Sequence, residues 1–109
     1  SYLDEFNFNK TSIGYTYIID CLLLCIKEKR KVIPKMTLLY QNVANRYEMK
    51  NSININWSIT KCIKSMLKST PPEIISKYFN HTLNPSSKIF LNTSLQIIQR
   101  EINKDYCYL

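Results

Sequence analysis

A single glycine in 109 residues constrains this chain more than any other feature. Tight β-hairpins depend on residues that accept positive φ, glycine above all. One glycine and four prolines argue against an all-β sandwich or barrel. The same scarcity removes the phosphate-cradling loops, since neither G-x-G-x-x-G nor a Walker A motif can be written, and this argues against a nucleotide-dependent enzyme. The hydrophobic fraction of 45% suffices for a core, and 21% charged with 12% aromatic residues is not the composition of a disordered tail. The reading is one all-α domain over residues 1–109, compact, with six helices.

The pattern of apolar positions places the helices. Tyr2 to Phe8 reads as a weak first helix, with Leu3 and Phe6 on one side. Thr11 or Ser12 caps a second, about Ile13 to Glu28. Its apolar residues, Tyr15, Ile18, Ile19, Leu22, Leu23, Cys25 and Ile26, run nearly all round, which predicts the buried centre of a bundle. Thr37 caps a third helix to about Tyr47, with Leu39, Val43, Ala44 and Tyr47 inward. After a break at Glu48-Met49-Lys50-Asn51, a fourth runs from about Ser52 to Ser69. Thr70 and Glu73 have capping-box spacing for a fifth, to about Phe79, with Asn80 as its exit. The last spans about Ser86 to Ile102, and Tyr106 to Leu109 either packs back or frays.

Lys and Arg number 15 against 8 Asp and Glu, a net charge of +7. Nucleic acid, an anionic membrane surface or an acidic protein would answer such a charge. Solubility alone is the simpler alternative, and 12 of the 15 are lysines, some of which an AT-rich coding sequence would supply. No run is long enough to span a bilayer; the longest apolar stretch, Tyr17 to Ile26, is broken by Asp20. The chain opens on Ser1 rather than Met, and the expectation is of a processed or excised chain, which leaves room for further domains upstream.

Cys21, Cys25, Cys62 and Cys107 show no secreted framework and no Cys-x-x-Cys, and read as reduced, buried, small hydrophobes. His81 is the only histidine. No metal site, cofactor or catalytic group is proposed.

Residues 37 to 69 are the informative stretch. Two helices join through a short turn, and Ala44 beside Val43 is a small residue that lets the second helix cross closely, as a helix-turn-helix requires. At about 100° per residue, Ile55, Ile59, Cys62, Ile63 and Met66 of that second helix fall on one face. Asn54, Trp57, Lys61, Lys64 and Lys68 fall on the other, and no acidic residue occurs between Glu48 and Glu73. Such a face suits a recognition helix: lysine for phosphate or guanine, asparagine for adenine, threonine for either. Lys50, Lys61, Lys64 and Lys68 are candidate phosphate or base contacts, Asn54, Asn56 and Thr60 candidate base readers, and Trp57 a candidate apolar contact. Ser52 at the helix N-terminus is a candidate phosphate holder. The competing reading of the lysines is a merely solvated face, and of Trp57 a core residue under another element.

The residues also carry a resemblance. Gly14-Tyr15-Thr16-Tyr17, Leu39-Tyr40 followed by Val43-Ala44-Asn45-Arg46-Tyr47, Phe79-Asn80-His81-Thr82 and Phe90-Leu91 occur in the order and near-ungapped spacing of a known family. The chain resembles the C-terminal DNA-binding effector domain of the sporulation master response regulator, the stage zero sporulation protein A family. The resemblance covers almost the whole chain. It implies a six-helix, cytoplasmic domain that binds promoter DNA as tandem copies or a homodimer, regulates transcription, and has RNA polymerase as a further partner. The family's recognition helix aligns with Ile53 to Ile63 after one inserted residue. There its arginines fall on Asn54, Trp57 and Thr60, its glutamate on Asn56 and its histidine on Lys61. The scaffold matches while the base-reading set differs, so the expectation is a divergent member reading another site. The alternative is a degenerate helix-turn-helix that serves as a dimerisation or protein-interaction module with Trp57 as anchor. A membrane-surface role ranks last, because the basic face is backed by a core stripe.

Overall fold

Helix formation begins where a side chain takes up an orphan backbone donor. Ser12 does this for the first long helix, its hydroxyl accepting the Tyr15 N–H at 3.2 Å. Helix α1 then runs Ile13–Lys27, followed by α2 Met36–Arg46, α3 Ile53–Ser69, α4 Pro72–Tyr78 and α5 Ser87–Cys107. The structure is a computed structural model that describes residues 1–80 and 82–107, the last three as backbone. His81, Tyr108 and Leu109 lie outside the described residues, as do the side chains of Tyr106 and Cys107. The expected packing or fraying of Tyr106 to Leu109 therefore falls outside them too.

The protein is all-helical among the described residues, as the sequence predicts. The first expected helix is a single 3₁₀ turn, Tyr2–Glu5. Aromatic packing holds the segment in place. Tyr2, Phe6 and Phe8 are buried, Phe6 and Phe8 meet Phe90 edge-on, and Phe79 stacks on Phe90 at 5.7 Å. Polar ties fix the register: Tyr2 Oη and Ser94 Oγ share a buried hydrogen bond of 3.0 Å, and Lys77 and Tyr78 both donate to the Glu5 carboxylate.

Helix α1 is central, packed by α2, α3 and α5. Ile18, Cys21, Leu22 and Cys25 are buried as expected, but Leu23 is 55% exposed, so α1 keeps one open edge that nothing covers among the described residues. Its closest neighbour is α3. A Cβ on Gly14 would lie 2.7 Å from Cys62 Cβ and closer still to the Ser58 carbonyl oxygen, nearer than real Cβ atoms approach. The lone glycine is thus no turn residue. It is the point where α1 meets the backbone of α3.

The turns therefore do without glycine. Helix α1 ends with Lys29 at φ 56°, and the Lys29 and Arg30 N–H groups return to the Ile26 and Cys25 carbonyls. Helix α2 ends in the same way with Glu48 at φ 56°, and Glu48 and Met49 return to Asn45 and Ala44. Both are Schellman closures, which normally place glycine at the left-handed position. The second forms the turn of the helix-turn-helix.

Several local expectations are corrected. Thr37 lies inside α2, whose N-cap is Lys35 with no side-chain cap. Tyr47 does not face inward: it is 44% exposed, its ring against Tyr17 and its hydroxyl donating to Asp20 Oδ2 at 2.5 Å. Tyr40, not among the residues expected to face inward, is buried in its stead. The Thr70–Glu73 capping box is absent: Pro71 is the N-cap of α4, and the Thr70 hydroxyl instead accepts the Asn7 N–H at 3.0 Å, tying the N-terminal segment to the end of α3. Ser86 caps α5 through the Ile89 N–H, and the helix continues to Cys107 rather than Ile102.

Two substitutions test this frame. Gly14→Ala is expected to destabilise by about 1–3 kcal/mol in urea unfolding, although alanine is the better helix former, because the obstacle is backbone. Glu48→Gly is expected to stabilise by about 0.5–1 kcal/mol by relieving the left-handed strain.

Candidate nucleic-acid interface

The 17 residues of α3 divide into two faces. Ile55, Ile59, Cys62, Ile63 and Met66 are buried, the same five positions the helical periodicity selects. Opposite them, Asn54, Asn56, Trp57, Lys61, Lys64 and Lys68 are exposed, and Thr60 is half-buried. Trp57 is 71% exposed, so no element covers it among the described residues and the core reading of this tryptophan fails.

Asn56, Trp57, Thr60, Lys61, Lys64 and Lys68 line one shallow depression, joined by Ser65. Lys50, Ser52 and Asn54 lie outside that lining. Lys50 is exposed in the turn, and Ser52 is the half-buried N-cap residue of α3. The Ser52 hydroxyl caps nothing; the Asn51 side chain accepts the Ile53 N–H at 3.0 Å instead. The Thr60 hydroxyl donates to Asn56 Oδ1 at 3.3 Å and leaves the Asn56 NH₂ group uninvolved in that bond. Lys61 also borders a second depression, between α3 and the start of α1, with Asn9, Ser12, Gly14 and Ser58.

Charge is distributed unevenly. Lys10 pairs with Asp4, Arg30 with Glu28 and Lys77 with Glu5, all away from α3. Among the described residues, Lys50, Lys61, Lys64 and Lys68 have no carboxylate within salt-bridge distance. Their positive potential is not internally cancelled, which is the electrostatic condition for attracting a polyanion.

The three cysteines whose side chains are described add no reactivity. Cys21, Cys25 and Cys62 are free and buried. Burial pushes the Cys21 thiol up to about 12, and raises Cys25 and Cys62 for the same reason, so all three stay protonated and inert at neutral pH.

Two residues of this face escaped the sequence reading. Ser65 lies in the depression, and the helical angle that selects Lys61 and Lys68 selects it as well. Ile53 is 63% exposed at the first position of α3, and its apolar side chain gave no signal of that.

A helix-turn-helix whose second helix bears an acid-free, lysine-rich outer face defines a DNA-binding domain of a transcription regulator. The family comparison is more specific. The family profile described as "Sporulation initiation factor Spo0A C terminal" matches residues 1–102, and the chain belongs to this family of sporulation-regulator effector domains. A search of curated proteins finds no match.

Since Trp57 contributes to no core, Trp57→Ala is expected to shift unfolding stability by no more than about 0.5 kcal/mol. Ile59→Ala, on the opposite face, is expected to cost about 2–5 kcal/mol in the same denaturant titration.

Proposed function

We propose that residues 1–109 act as one sequence-specific effector domain whose α3 lies in the major groove of duplex DNA as the recognition helix. The observation that carries this is the pairing of a five-residue buried stripe with an outer face that holds no carboxylate and whose lysines are unpaired among the described residues. Lys50, Lys61, Lys64 and Lys68 serve phosphates or base edges. Asn54, Asn56 and Thr60 read base edges, and Trp57 makes an apolar contact. Ser52 and the adjoining N–H groups at the start of α3 hold a phosphate. In this reading the domain works in the cytoplasm as tandem copies or a homodimer on DNA, with RNA polymerase as a further partner.

A second reading draws on the 71% exposure of Trp57, which suits the anchor of a protein interface. A degenerate domain would then dimerise or bind a regulator without reading DNA. A randomised duplex library separates the two. Enrichment supports the first reading; no enrichment together with a stable dimer that Trp57→Ala dissociates supports the second.

If the four lysines neutralise about four phosphates, log K is expected to fall with log salt at a slope of about −3 to −4. Lys64→Ala is expected to weaken binding to all duplexes and to reduce the slope by about 1 in fluorescence anisotropy. Binding that ignores salt would sink the model.

A further inference from the structure

We propose that the base pairs met by the first two turns of α3 are A·T pairs, read through thymine methyl groups and adenine Hoogsteen edges. The inference rests on the major-groove reading above and narrows it to a class of target.

The outermost line of the N-terminal half of α3 is apolar. Ile53 and Trp57 stand one turn apart and are 63% and 71% exposed. Asn54 and Asn56 flank them and are also exposed. In a helix-turn-helix these N-terminal positions are the ones that reach base edges. The lysines begin only at Lys61, about two turns further on, where a helix leaving the groove meets backbone.

Each base asks for a different partner in the major groove. Thymine presents a methyl group, which Ile53 and Trp57 match. Adenine presents N7 and N6–H₂, which an amide meets with one donor and one acceptor. Asn56 retains both: its Oδ1 takes the Thr60 hydroxyl on one lone pair, leaving the other and the NH₂ group. Guanine is read by arginine or lysine; α3 contains no arginine, and its lysines begin only at Lys61, beyond its first two turns. Cytosine needs a carboxylate acceptor, and none occurs between Glu48 and Glu73. Within the first two turns of α3, both partners of an A·T pair are provided for, and both partners of a G·C pair lack a charged reader.

The test is selection of the 109-residue chain on a randomised duplex, followed by anisotropy on the enriched site with single-atom replacements. The expected result is an A·T core. Replacing its thymines by uracil is expected to weaken binding about tenfold, and the loss should largely vanish in Trp57→Ala. Replacing adenine by 7-deazaadenine is expected to cost about tenfold, with the loss abolished in Asn56→Ala or Asn54→Ala. Enrichment of a G·C core would overturn the inference and leave the major-groove placement standing, whereas equal affinity for every duplex would overturn it together with the sequence-specific reading. An A·T core indifferent to both replacements would also overturn it, since shape would then be read in place of these groups. Failure to bind any duplex would remove the inference and the proposed function together.

Discussion

The crossing of α1 over α3 at Gly14 is the contact on which the rest of the structure depends. The Ser58 carbonyl and the Cys62 side chain approach α1 so closely that no side chain fits between them. That approach presses one face of α3 into the core along Ile55, Ile59, Cys62, Ile63 and Met66. A helix held so firmly along one side must present its other side outward. The exposure of Trp57 and of the α3 lysines follows from the same contact that buries their neighbours.

Spending the one glycine on a helix crossing has a consequence for the turns. Both Schellman closures place a charged residue, Lys29 or Glu48, in the left-handed region, where an L-residue is strained. The turn between α2 and α3 therefore stores a modest strain, opposed by the burial of Val43 and Ala44 before it and Ile55 after it. The angle at which α3 is presented is set by this closure and by the crossing, each independent of any ligand.

Much of the architecture was legible from periodicity. The five buried positions of α3 were read correctly because a 3.6-residue repeat leaves a strong signal over seventeen residues. The ends of helices were read less well, because capping depends on partners distant in sequence. Thr70 has the local spacing of a capping box, yet its hydroxyl is taken by Asn7, sixty-three residues away. Tyr47 has the register of a core residue, but Asp20 on another helix offers its hydroxyl a partner at the surface. Ile53, apolar and exposed, is the same kind of case: hydrophobicity marks what can be buried, and only packing decides what is.

On its own, the sequence determined the all-helical class, the helix-turn-helix and the separation of α3 into an apolar and a basic face. These follow from glycine scarcity, helical periodicity and an acid-free stretch, all of which are properties of residues close along the chain. The tertiary structure alone decided that Trp57 stays uncovered, that the α3 lysines find no carboxylate among the described residues, and that Gly14 is a point of close approach between α1 and α3. Each of these depends on which surfaces from distant segments meet, and a local pattern carries no record of that.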